Sequence, residues 1–140
     1  MPNRTQKSMS KAANVLEKIG WKLKAGGNNG IIHPKYGNLS FTIKGFEHCC
    51  GADEVGGFYF EIRDKAQCQK ALNAFFTAYG NSMLLATVVK HQKPVRELLV
   101  KVGFKPLKEL QFRNKNSKRI VETLYKKDDP SSNLGNLYSF

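Results

Sequence analysis

Two carboxylates, Glu54 and Glu61, bracket the run Gly56-Gly57-Phe58-Tyr59-Phe60. A carboxylate held among aromatic rings loses hydration and gains proton affinity, which suits it to general-base work. The competing reading makes Glu61 the solvent-facing member of an alternating strand. Directly downstream, Arg63-Asp64-Lys65-Ala66-Gln67 sets two cations and an amide where a helix should begin. Side chains there could hold a phosphate, although Asp64 opposes it. His48-Cys49-Cys50-Gly51, with Cys68 or His91 as further ligands, invites a metal reading. Adjacent residues diverge, however, and no Cys-x-x-Cys spacing is present, so a turn is preferred and no metal is expected.

A third candidate is electrostatic. The chain carries a net charge of +12, and between Lys101 and Lys127 nine Lys or Arg (101, 105, 108, 113, 115, 118, 119, 126, 127) face Glu109 and Glu122. Such a surface favours an anionic partner: nucleic acid, an acidic protein or a phosphorylated cofactor. Lys115, Lys118 and Arg119 are its candidate contacts, and Phe104, Phe112 and Tyr125 could add ring stacking. The plainer alternative is a solvated basic face with those aromatics in the core. No RNA-recognition, helix-turn-helix or zinc-finger pattern accompanies the run.

These residues need elements to position them. At 140 residues with 41% hydrophobic content, a single α/β domain over residues 1–127 is expected, with 128–140 a flexible tail of turn composition. A helix should start at Ser8 or Ser10, bury Ala12, Ala13, Val15, Leu16 and Ile19, and end at Gly20. Short strands are expected at 21–23, 30–33 and 39–43, with an alternating strand at 57–62. A helix over 66–79 follows, and then the apolar strand 82–89, which should lie parallel to 57–62 through a right-handed crossover. A helix from Lys93 or Pro94 to Val102 and strands at 104–112 and 120–125 complete the order. No apolar run approaches the roughly 20 residues of a membrane span, and the first residues lack a secretory pattern. Three cysteines, two of them adjacent, fit a reducing compartment, so a cytoplasmic protein is expected.

This order resembles that of the GCN5-related N-acetyltransferases, the GNAT superfamily, most clearly over residues 57–107. Their motif Asn-x-x-Ala-x-x-Leu-Tyr-x-x-x-Gly-Phe stands here as Gln92, Val95, Leu98, Leu99, Gly103, Phe104. The resemblance implies a mixed central sheet with flanking helices, its first strand and helix abbreviated. It also implies acetyl-CoA as cofactor and an amine as acceptor. Pantetheine would lie along the backbone of Phe60, Glu61 and Ile62, phosphates would lie by Arg63, Lys65 and Gln67, and Gln92 would stand for the motif's Asn. Glu61 or Glu54 would be the base. Two departures stand out: the motif's Tyr is Leu99, leaving Tyr59, Tyr125 or water as proton donor, and the glycine-rich phosphate loop is absent at 63–68. Short, basic, phage-encoded members resemble the chain in both respects, which implies a host-cytoplasm setting. The same resemblance admits a non-catalytic scaffold that binds a host macromolecule, nucleic acid or virion component. A weaker likeness over residues 12–43 is to small RNA-cleaving toxins of HicA type, with His33 displaced from the catalytic position.

Overall fold

The computed structural model describes residues 4–24, 30–45, 52–80, 83–89, 92–113, 115–116 and 119–127. Helix α1 (Arg4–Lys18) precedes β1 (Lys22–Lys24), β2 (Gly30–His33), β3 (Gly37–Gly45) and β4 (Ala52–Ile62). Then come α2 (Lys65–Tyr79), β5 (Met83–Val89), α3 (Lys93–Lys101), β6 (Lys105–Arg113) and β7 (Arg119–Lys127). The strands form one sheet in the order β1-β2-β3-β4-β5-β7-β6. Every neighbouring pair is antiparallel except β4 with β5. The expected mixed α/β sheet is therefore the observed one. His48, Cys49, Cys50, His91, Lys118 and the tail 128–140 lie outside the described residues.

Two expectations are corrected. The first helix begins at Arg4, not at a serine cap, because Arg, Gln and Lys are good helix formers. Ser8 sits inside the helix on a buried stripe with Ala12 and Leu16, while Ile19 is exposed. The second correction concerns the parallel pair. It joins Ala52–Val55 to Met83–Ala86, upstream of the expected 57–62.

One face of the sheet carries the helices. From α2, Phe75 and Phe76 meet Phe41 of β3, and the Tyr79 hydroxyl donates to Asp53 Oδ2 of β4 at 2.6 Å. Helix α3 reaches the same face through Arg96 Nε, which donates to the Tyr125 hydroxyl, and Tyr125 pairs with Ala86 in the row of Val55. Phe104, just past α3, closes on Phe76 at 5.2 Å between ring centroids. Helix α1 packs on α2. The resulting core takes in Leu16, Trp21, Leu39, Phe41, Val55, Phe75, Phe76, Leu84, Val88, Leu98 and Leu99. Residues of the opposite face, such as Tyr59, Glu61 and Glu54, are exposed.

Candidate active site

The parallel ladder between β4 and β5 runs from Ala52↔Met83 to Val55↔Ala86 and goes no further, although β4 continues to Ile62 and β5 to Val89. Past that point β4 keeps β3 as its ladder partner. The two central strands thus fork. The cause is local: opposite the β3 step from Ser40 to Thr42, β4 inserts Gly57 and Phe58 as a bulge. Gly57 has φ +63°, a left-handed conformation that costs other residues energy.

The bulge also decides which backbone groups face the fork. Phe58 C=O turns away from β3 and accepts from Gln92 Nε2 at 2.9 Å. Arg63 N–H turns back to the Tyr36 carbonyl at the head of β3. Strand alternation then aims the backbone of Phe60 and Ile62 at the fork and that of Glu61 at β3. Gln92 sits at the N-cap of α3 but does not cap it, spending its amide across the fork instead.

At the start of α2 the candidate phosphate contacts have internal partners. Arg63 reaches the turn between β2 and β3, donating from Nε to Lys35 O and from Nη2 to His33 O and Pro34 O, each at 3.2 Å. Asp64 is the N-cap and its Oδ1 accepts from Gln67 N at 3.0 Å, so a carboxylate already sits where an anion would meet the helix terminus. Lys65 Nζ binds Glu97 Oε2 at 3.1 Å, joining α2 to α3. That hydrogen bond, reinforced by the charge of Lys65, holds the Glu97 carboxyl below the usual carboxylate range.

The two candidate bases stand far apart. Glu54 pairs with Leu85 on the last rungs before the fork, whereas Glu61 is one residue from the end of β4. They lie seven positions apart along the strand, about 23 Å at roughly 3.3 Å per residue, so one reacting centre cannot use both directly. Leu99 is fully buried, Tyr125 is 3% exposed with its hydroxyl bound by Arg96, and Tyr59 is 63% exposed. Cys68 is buried with its Sγ–H donating to Tyr36 O, and burial pushes its thiol up from the ordinary value. His33 Nδ1 accepts from Lys35 N and Tyr36 N while its ring stacks on Tyr36 at 4.2 Å, so the imidazole shapes a turn. An open cavity of about 340 Å³ flanks α3, lined by Lys93, Arg96, Glu97, Val100, Lys101 and Tyr125. None of these belongs to β4, and the fork, where backbone groups leave a ladder, is the better candidate for chemistry.

Among the basic candidates, Lys115 is exposed in the β6–β7 turn and Arg119 opens β7. What sequence reasoning missed is a group on the sheet face opposite the described helices: Lys24 Nζ donates to Ser40 Oγ at 2.8 Å and to Asn38 Oδ1 at 3.1 Å. Only the strand register, not local spacing, brings these together.

No protein-family model matches the sequence, and no curated protein matches it. Solved structures do match. The ribosomal-protein-S5-alanine acetyltransferase from Vibrio fischeri is 12% identical, over 93% of this chain and 92% of that one, with TM-score 0.53. The microcin C7 self-immunity acetyltransferase MccE, in complex with acetyl-CoA and AMP, is 15% identical over 84% of this chain and 66% of its own, at TM-score 0.52. Salmonella typhimurium yncA, with its cofactor acetyl-CoA, is 13% identical at TM-score 0.50. The match covers 71% of this chain, which spans 64% of yncA's length. At such identities the likeness is one of fold, and that fold is the GNAT fold.

Proposed function

We propose that the protein transfers an acetyl group from acetyl-CoA to an amine. The observation that carries this reading is the fork, with the backbone of Phe60 and Ile62 turned into it. An extended chain with amide groups fits such a strand edge, which offers both donors and acceptors. When bound, acetyl-CoA supplies a thioester activated toward amines. This chain's residues supply the rest. Phe60 and Ile62 would hold the pantetheine arm by main-chain hydrogen bonds, and Gln92 holds the Phe58 carbonyl turned toward the fork. Lys65 and Gln67 at the head of α2, with Arg63 bracing the adjoining turn, face the phosphates, and Lys65 exchanges Glu97 for phosphate. Glu54, beside the last paired rungs, takes the proton from the acceptor amine, while Glu61 stands at the mouth. A proton for the leaving sulfur would have to come from water, since Leu99 has none to give.

The test couples calorimetry with mass spectrometry. Acetyl-CoA should bind, and amine acetylation above the spontaneous rate should fall by about 10²–10⁴ in Glu54→Gln with little change in cofactor affinity. No binding and no acetylation of any amine would overturn the reading.

One observation favours a second reading, a GNAT-fold scaffold without catalysis: Asp64 fills the anion position of α2. Function would then lie on the basic surface of β6 and β7, with Lys115, Lys118 and Arg119 meeting a nucleic acid or an acidic host or virion protein. Binding should weaken steeply with salt and vanish on charge reversal at those three residues.

A further inference from the structure

We infer that the acceptor is a small molecule with an α-amino-acid head group, gripped on the sheet face opposite the described helices between Lys24 and Glu61, with a second amine at the end of an arm lying along Tyr59. This rests on the acyl-transfer reading. The helices occupy one face of the sheet, so an acceptor reaches the fork from the other.

On that other face the register lays out two rows. One runs Lys24, Gly30, Ser40, Tyr59 across β1 to β4, and the next runs Lys22, Ile32, Asn38, Glu61. Rows are about 7 Å apart and neighbouring strands about 4.8 Å apart. Lys24 starts on β1 yet delivers its ammonium to β3, passing β2 at Gly30. Gly30 has φ +131°, and a Cβ there would collide with the Leu39 carbonyl, so that step carries no side chain to obstruct the lysine. Both groups that hold Lys24 are neutral: Ser40 Oγ and Asn38 Oδ1, themselves hydrogen-bonded at 3.3 Å. The ammonium is therefore oriented without being neutralised, and it keeps a third N–H beyond those two bonds.

One strand over, Glu61 is exposed and forms no ion pair among the described residues. A fixed cation and an anion on adjacent strands match a carboxylate and an ammonium on one carbon. Tyr59, 63% exposed, lies between this pair and the bulge at Gly57, about 7 Å further along the strand. Its ring offers an apolar track along which an aliphatic arm would run toward the bulge at Gly57, where the fork opens. A nucleic-acid strand stacked on Tyr59 would meet the carboxylates of Glu54 and Glu61 on the same strand face, which repel phosphate.

The test uses the whole protein and three probes: L-lysine, cadaverine (no carboxylate) and 6-aminohexanoate (no α-ammonium). In calorimetry without acetyl-CoA, lysine should bind at least about tenfold more tightly than either analogue. Lys24→Met should erase the advantage over cadaverine and leave that over 6-aminohexanoate, Glu61→Gln should do the reverse, and Lys24→Arg should restore carboxylate preference. Melting curves confirm that each variant is folded. Equal binding of the three probes overturns the inference. Acetylation of all amines without preference overturns it while sparing acyl transfer. The predicted binding pattern with no acetylation of any amine keeps the head-group site and removes its role as an acceptor site.

Discussion

β4 behaves as two strands joined at Gly57. Over residues 53–55 it has a ladder on each side, and its inward residues Asp53 and Val55 are fully buried against Tyr79 and the core. Over 58–62 it has β3 alone, and its fork-facing backbone meets the Gln92 amide in place of a neighbouring strand. The first half is stabilised by burial and saturated hydrogen bonding, so it should tolerate little change. The second half has exchanged one ladder for accessible backbone, which is what a ligand can use. The candidate site is marked by where pairing stops rather than by an unusual side chain.

The strongest test of that contrast is on the buried side. Phe76 contacts the rings of Phe41, Phe75 and Phe104 and has no exposed surface. Phe76→Ala should destabilise the fold by about 3–5 kcal/mol, read as a lowered denaturant midpoint with unchanged slope. A loss under about 1 kcal/mol would show that the helix-covered half is not the rigid partner in the comparison.

Next comes the polar contact inside that same half. Tyr79→Phe deprives buried Asp53 of a 2.6 Å donor and should cost about 1–3 kcal/mol. An equal melting temperature for wild type and variant would mean that water or another donor replaces the hydroxyl at no cost.

At the junction itself the expected effect on stability is smaller and that on function larger. Gly57→Ala meets only Thr42 Oγ1 at 3.6 Å, so its cost is the left-handed φ, about 1 kcal/mol. The strain falls where Phe58 turns its carbonyl to Gln92, so acetyl-CoA affinity should drop further than stability does. Affinity intact beside a loss of stability would separate the bulge from the fork.

The same junction explains what was legible in the sequence. Phe58, Phe60 and Ile62 alternate with Tyr59 and Glu61, so strand 57–62 could be read directly. Upstream, the inward positions are Asp53 and Val55: the bulge shifts the phase by one, and a buried Asp contradicts the apolar pattern, so 52–56 falls outside the strand expected from the sequence. The order of elements and the parallel crossover followed from local periodicity, but the rungs that pair did not. Partners distant in sequence were equally hidden. Lys65 with Glu97, Lys24 with Ser40 and Arg63 with the β2–β3 turn each depend on register or on helix placement. Asp64 could be seen to oppose phosphate, but that it caps α2 through Gln67 required the structure.

The smallest effect concerns the bridge between α2 and α3 at the mouth of the fork. Glu97 titrates below its ordinary range because Lys65 donates to it and adds its charge, with Lys93 contributing less. A carboxylate whose folded value is depressed adds stability above its unfolded value, and that contribution disappears as pH falls through the folded value. With both side chains well exposed, the gain at neutral pH should be near the limit of detection in a melt, and added salt should shrink it. The titration itself is the sharper readout. By carboxyl-carbon NMR the Glu97 midpoint should lie below that of a free glutamate and rise toward it in Lys65→Met. Saturating acetyl-CoA should raise it in the wild type too, because a phosphate that recruits Lys65 takes the ammonium away from Glu97. A midpoint that stays low with the cofactor bound would leave the bridge intact and place the phosphates away from Lys65, confining the cofactor's contacts to the open half of β4.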